Sequence, residues 1–467
     1  MNNVKNITSQ ISYTIAANFI RMATVGLLTI LIPKIISMEN YGYWQLYIFY
    51  TNYVGFFHLG WCDGIYLKEG GNTYASLDKS NYNGQFILIT LMQIIFSLFI
   101  IIITLLFNND INKMLIVLAT CVNALLCIPC TFFSYILQCT GRIKEFSFIT
   151  ILGRGIYFII CLIFITLKMD NYEIILVADI IGWGISLLYS IIVCKDIAIT
   201  KCKSIKLSIK EGINNINIGS KLMFANIASS LIIGFIRLCM EKQWDIVVFG
   251  KISLSINFCN LLLIFINAIG IVIYPILKRQ ASSKLKGIYI FIEKYLSLFL
   301  FIALICYFPL KLFIKSWIPA YSDSVMYMAI LFPICIFESK FSLLTNTYLK
   351  VFRKEKVILL INIFALSISI ILSIFTIFLL KNIDLTIFVV LIALIFRCII
   401  SEVYICKLLK VPYFESISKE IAITAIFIAC SWIFVDYIGI LCYFLLCVLL
   451  IVRERNGIQI VLKKLMK

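Results

Sequence analysis

Residues 17–26 read Ala17-Asn18-Phe19-Ile20-Arg21-Met22-Ala23-Thr24-Val25-Gly26 and stand in the middle of an apolar run from Ile11 to Ile36. A run of that length can cross a bilayer, which takes roughly 20 mostly apolar residues in a helix. A guanidinium in its middle costs about 2.5 to 3.5 kcal/mol even on the lenient insertion scale, so a polar environment must receive it. Gln10, Thr14, Asn18 and Arg21 share one helical stripe, and a polar stripe on a membrane helix faces protein or water.

The rest of the chain repeats this design. Its 467 residues are 62% hydrophobic and 14% charged, with mean hydropathy +1.03, too few polar side chains to cover a water-soluble globule. Fourteen apolar windows follow one another: 11–36, 41–67, 84–107, 112–140, 143–167, 172–194, 214–240, 245–276, 287–314, 322–349, 356–380, 384–406, 417–435 and 437–452. Turns as short as Asn108-Asn109-Asp110 leave no room for irregular backbone in lipid, and the alternating polarity of barrel strands is absent. The expected fold is all-α, with about 14 transmembrane helices.

With the N-terminus inside, 26 of the 41 Lys and Arg fall on inner segments and 7 on outer loops. Cationic loops stay cytoplasmic, so both termini are expected there, and the first helix reads as a retained span rather than a cleaved signal. The formal charge of +18 is then mainly a topology signal and requires no nucleic-acid partner. The 17 cysteines are scattered through the spans without metal-binding spacing, which fits buried free thiols. No phosphate loop, metal motif or cofactor motif is found, and catalysis by metal or by acid and base has few candidates.

Sliding the chain against itself by 208 residues aligns the first two windows with the seventh and eighth. Ala17-Asn18 falls on Ala225-Asn226, Gly26 on Gly234, Lys34 on Lys242, Gly42 on Gly250 and Asn52 on Asn260. A six-helix interval preserves orientation, so the repeat is parallel and implies two six-helix bundles with pseudo-two-fold symmetry. The boundaries read as bundles at 1–195 and 214–410, a basic cytoplasmic linker at 196–213 near anionic headgroups, and two additional helices with a basic tail at 411–467.

Mid-span polar residues recur in both halves. Arg21, Arg154 and Arg397 lie near the middle of their windows, with Lys340, Asn18 and Asn226 as further candidate substrate ligands. Arg237, Lys251, Lys294 and Glu293 are nearer the ends, where snorkelling accounts for them. Asp63, Asp179 and Glu338 are candidates for ion coupling, or equally counter-ions for the arginines; Glu338 and Lys340 also read as a self-neutralising pair. Asn52 and Asp63, eleven residues apart, share a face of an unbroken helix, and the single histidine, His58, reads as a packing residue. A positive mid-membrane excess suits an anionic ligand, because a guanidinium fork grips phosphate oxygens and does not titrate.

The stretch Glu39-Asn40-Tyr41-Gly42-Tyr43-Trp44-Gln45-Leu46, followed by His58-Leu59-Gly60-Trp61-Cys62-Asp63-Gly64, resembles the start of bacterial polysaccharide repeat-unit flippases, which export O-antigen or capsule units. These belong to the multidrug/oligosaccharidyl-lipid/polysaccharide transporter superfamily, whose lipid-linked substrate members typically carry a first-helix arginine that Arg21 matches. The resemblance implies two bundles around a cationic cavity in the bacterial inner membrane. The implied cargo is an undecaprenyl-pyrophosphate-linked oligosaccharide, moved by alternating access with H+ or Na+ as a possible coupling ion. Membrane lipids and a polysaccharide polymerase machinery are implied partners. The rival readings are an ion-coupled multidrug exporter of the same superfamily, which would prefer an acidic chamber, and an integral membrane polymerase or glycosyltransferase, which would need larger outer loops.

Overall fold

The computed structural model describes residues 2–278, 282–434 and 436–454. The distal basic tail from 455 and the side chains of Gln10 and Thr14 lie outside what is described. Among the described residues there is no strand, and eleven helices are long and apolar enough to cross a membrane. The bent pair Ser324–Leu331 and Ile334–Val351 makes a twelfth. The window 41–67 is split into two helices, and the last window holds the shorter apolar helix Tyr437–Arg453. The chain is an all-α, multi-pass membrane protein.

It divides into two compact units, Met1–Ile227 with Ile246–Gly250, and Ala228–Asp245 with Lys251–Lys467. The first contains α1 (Asn2–Ile35), α2 (Met38–Val54), α3 (Trp61–Glu69), α4 (Lys79–Phe107), α5 (Ile111–Cys139), α6 (Ile143–Thr166), α7 (Tyr172–Val193), the short α8 (Lys195–Ala198) and the start of α9 (Ile205–Gln243). α1 packs on α6, α6 on α7, and α5 touches α2, α3, α4 and α7. Tight turns are possible because side chains cap the helix starts. Asp110 accepts from the backbone of Asn112 and Lys113, and Asp78 from that of Ser80 and Asn81.

The second window is not one unbroken helix. Between α2 and α3 the backbone turns at Leu59 and Gly60, both with positive φ, and Gln93 donates to the freed carbonyl of Phe57 at 3.1 Å. Asn52 and Asp63 therefore do not share a helical face. Gly60 and Gly64 form a small-xxx-small seam that lets α3 meet α9 backbone to backbone. A Cβ at Gly60 would lie 2.7 Å from the Gly219 carbonyl carbon, and one at Gly64 would lie 1.9 Å from the Asn215 oxygen. From Ile205 onward the basic connector is helix, with Ser208 and Asn215 buried.

The second unit continues with α10 (Ile246–Lys278), α11 (Ser282–Ala303), α12 (Tyr307–Trp317), α13 (Ser324–Leu331), α14 (Ile334–Ser339), α15 (Asn346–Val351), α16 (Glu355–Ile374), α17 (Ile383–Leu409), α18 (Phe414–Ile428) and α19 (Asp436–Arg453). Three π turns interrupt it, at Lys340–Thr345, Phe375–Leu379 and Ala429–Ile433. The two last helices help build the core of this unit: Phe427 of α18 meets Tyr307, Phe332 and Tyr443, and the Tyr443 hydroxyl donates to the Phe301 carbonyl at 2.7 Å.

Candidate functional site

In the first unit, α6 and α7 cross closely because Gly153 and Gly182 face each other. A Cβ at Gly182 would meet the Gly153 oxygen at 2.6 Å. Next to this crossing, Arg154 Nη1 donates to Asp179 Oδ1 at 2.9 Å. The other oxygen of Asp179 accepts from Tyr47 Oη at 3.0 Å and Asn123 Nδ2 at 2.9 Å. Asn123 also donates to Tyr47 at 3.1 Å, which closes the network. The Asp179 carboxylate thus accepts from three donors, which offsets its removal from water.

Arg154 retains a free aspect: its side chain is 33% exposed, and its guanidinium lies 5.2 Å from the Trp183 ring centroid. It borders a cavity of about 250 Å³ lined by Thr150, Asp179, Trp183 and Ser186, with Ser134 and Gln138 opposite. Arg21 is close enough to Arg154 for like-charge repulsion. Arg154 lines the cavity and the exposed Arg21 does not, but with Asp179 the three leave a local excess of positive charge, a setting that favours an anion with several oxygens.

The other predicted residues are distributed differently. Asn18 and Asn226 are exposed. Asp63 stands 3.9 Å from His58 Nε2, away from the Arg154 network, while His58 Nδ1 accepts from the Gly60 amide at 3.0 Å. In the second unit, Arg397 is 1% exposed. It pairs with Glu338, donates to Ser229 Oγ at 3.0 Å and lies 4.2 Å from the Phe341 ring centroid. Lys340 does not neutralise Glu338, as the sequence suggested; it pairs with Glu402 and Glu420. Residues two apart project from different sides of a helix, so each seeks its partner on another element. Arg237 is buried and donates to Ser253 at 2.8 Å, a core position rather than a snorkelling one.

Sequence reasoning missed Tyr47 and Asn123 as partners of Asp179. It also passed over Glu420, although a carboxylate near the start of an apolar window is itself a signal.

No family model and no curated sequence matches the chain. Among solved structures, the lipid II flippase MurJ in its inward closed conformation superimposes with a TM-score of 0.67 at 13% identity. That match covers 96% of this chain and 100% of that one. An inward-facing multidrug resistance transporter of the MATE family in the MOP superfamily gives 0.65 at 12% identity, over 86% of this chain and 96% of the other. VcmN, a MATE transporter of Vibrio cholerae, gives 0.54 at 14% identity, over 86% and 97%. The chain has the fold of these transporters.

Proposed function

We propose that this protein is a transporter that moves the headgroup of a polyprenyl-pyrophosphate-linked oligosaccharide across the bacterial inner membrane for surface polysaccharide assembly. The observation that carries the reading is Arg154, one-third exposed and lining a polar cavity of the first unit, with a second guanidinium, Arg21, near enough to interact with it. A sugar and pyrophosphate cannot cross hydrocarbon unaided, because each unsatisfied polar group costs several kcal/mol there. Arg154 and Arg21 hold the pyrophosphate, with Thr150, Ser186 and Gln138 replacing water around the sugar. An ion gradient or the membrane potential biases alternating access.

Multidrug export finds less support. A cationic drug calls for an available carboxylate, and Asp179 is already engaged by Arg154, Tyr47 and Asn123. The test is to deplete the protein and measure which leaflet holds the lipid-linked sugar. Accumulation in the inner leaflet supports the reading, and unchanged outward exposure refutes it.

A further inference from the structure

A second cavity, of about 620 Å³, opens in the second unit where α17 stops, α18 starts and α19 stops, and it runs inward along α11. Its lining changes on the way. Glu415, Lys419, Arg453 and Glu454 lie at or near the helix ends and are charged, whereas Leu298, Phe301 and Ile423 are apolar. The Phe301 carbonyl accepts from Tyr443, well in from the end of α19, so the apolar part is the deeper one. In a membrane protein, charge at a cavity mouth and hydrocarbon at depth match the polarity profile of one phospholipid.

The ions of this cavity do not cancel in place. Lys294 is committed to Glu454 at 2.6 Å and Lys419 to Glu415 at 2.6 Å. Lys340, just behind the lining, divides its charge between Glu402 Oε1 at 2.7 Å and Glu420 Oε1, and stands 3.6 Å from Glu293 Oε1. One ammonium against three carboxylates leaves a negative surplus on the protein side of the cavity. The surplus has a specific address: Glu402 is 1% exposed and lines the cavity, yet its Oε2 is buried without a hydrogen-bond partner among the described residues. On the outward side Arg453 is exposed and makes no ion pair among the described residues. Lys340 also opens the π turn Lys340–Thr345, and such turns concentrate at functional sites.

The ligand that completes this arrangement carries a cation with N–H donors, an anion beside it and an apolar chain. A quaternary ammonium has no N–H to offer Glu402 Oε2, and an anionic lipid without an amine is repelled by the carboxylate surplus. A free phosphate or a bare cation leaves the apolar depth unused.

We propose that this cavity holds one aminophospholipid of the bilayer, a lipid whose headgroup joins a phosphate diester to a primary amine. The ammonium turns inward and donates to Glu402 Oε2 and Glu293, the phosphate accepts from Arg453, and an acyl chain begins along Leu298 and Ile423. The lipid is a resident of the membrane rather than a passenger. The site lies wholly within the second unit, and the inference does not depend on the cargo proposed above.

The experiment titrates the full-length protein, purified in detergent without cargo, with lipids of a single acyl composition and counts bound lipid by native mass spectrometry. Phosphatidylethanolamine, phosphatidylcholine and phosphatidylglycerol form the arms, and soluble phosphoethanolamine is added as a chain-free competitor. The expected result is one phosphatidylethanolamine per protein, with each of the other lipids bound about tenfold more weakly or worse, the value of a charge-assisted hydrogen bond. Phosphoethanolamine does not displace the lipid at equal concentration. Glu293→Gln brings phosphatidylethanolamine down towards phosphatidylcholine, and Glu355→Gln, an exposed position outside the cavity, leaves the preference intact. Arg453→Ala, at an exposed helix end where folding is not at stake, weakens phosphatidylethanolamine and phosphatidylcholine alike by about tenfold. The proposal is overturned if phosphatidylcholine or phosphatidylglycerol binds as tightly as phosphatidylethanolamine, if phosphoethanolamine competes as an equal, or if Arg453→Ala leaves lipid affinity unmoved.

Discussion

Changing Arg154 to Ala separates two roles that the geometry assigns to one side chain. The guanidinium is a partner for Asp179 at 2.9 Å, and it is one-third exposed towards the cavity. Breaking a fully buried ion pair costs about 3 to 5 kcal/mol, whereas an exposed pair is worth about 1 kcal/mol or less. Arg154 stands between these limits, and Asp179 keeps its bonds from Tyr47 and Asn123, so Arg154→Ala is expected to destabilise by about 1 to 3 kcal/mol. Asp179→Asn loses the charge and keeps a carbonyl able to accept, for about 1 kcal/mol. The double variant no longer strands a carboxylate, so its loss should be smaller than the sum of the two singles. Headgroup capture behaves otherwise. A charge-assisted contact to phosphate is worth about 1.5 to 3 kcal/mol, roughly 10- to 150-fold in affinity, and Asp179→Asn cannot restore it. The assay pairs thermal denaturation of the purified variants with the leaflet distribution of lipid-linked sugar in cells that carry them. Stability that recovers in the double variant while transport stays lost supports the assignment. Recovery of both would reduce Arg154 to a counter-ion and refute its role in binding.

The other expectations are briefer. Arg397→Ala strands Glu338 and should cost about 2 to 4 kcal/mol, with much of the loss recovered in Arg397→Ala/Glu338→Ala, as thermal denaturation would register. Gly64→Val would drive a side chain into the Asn215 backbone and should abolish the monodisperse peak in size-exclusion chromatography, whereas Gly71→Ala, with nothing within 4 Å, should lose only what its positive φ costs. In the loop between α6 and α7, burial raises the Asp170 carboxyl, but hydrogen bonds from Asn40 and Ser37 outweigh it and hold the group below its ordinary range. A depressed carboxyl contributes stability above its unfolded pKa of about 3.9, and this is lost as pH falls through the lower folded value. Wild type should therefore melt higher than Asp170→Asn at neutral pH, and the two curves should converge below about pH 4; a gap that persists in acid would refute the account.

The helices were legible because lipid imposes one rule on every window: length and apolarity suffice to place a span, and the polar turns mark its ends. The capping carboxylates Asp78 and Asp110 could be read the same way, since their hydrogen bonds reach only two or three residues ahead. Partners on distant helices could not. Asp179 was readable as a counter-ion for an arginine, but nothing in the spacing said that it would be Arg154 or that Tyr47 and Asn123 would join it from two other helices. The break after Val54 also escaped, although Gly55 and Gly60 flank it, because hydropathy stays high across the turn and only the approach of Gly219 shows why a left-handed residue is needed. Lys340 and Glu338 were misjudged for a related reason: closeness along the chain was taken for closeness in space.

The π turns have one more consequence. Each winds an additional residue into a helix, so everything downstream is rotated by about 100° and shifted one place in the alignment. The second unit holds three of them, and the first holds none among the described residues. The 208-residue match covers only the first two windows of each half, all of it before the first of these turns, so a comparison of the later helices needs a new frame beyond each insertion. Beyond Lys340, which opens the first of these turns, a face read by ordinary helical spacing points about 100° away from where the chain presents it.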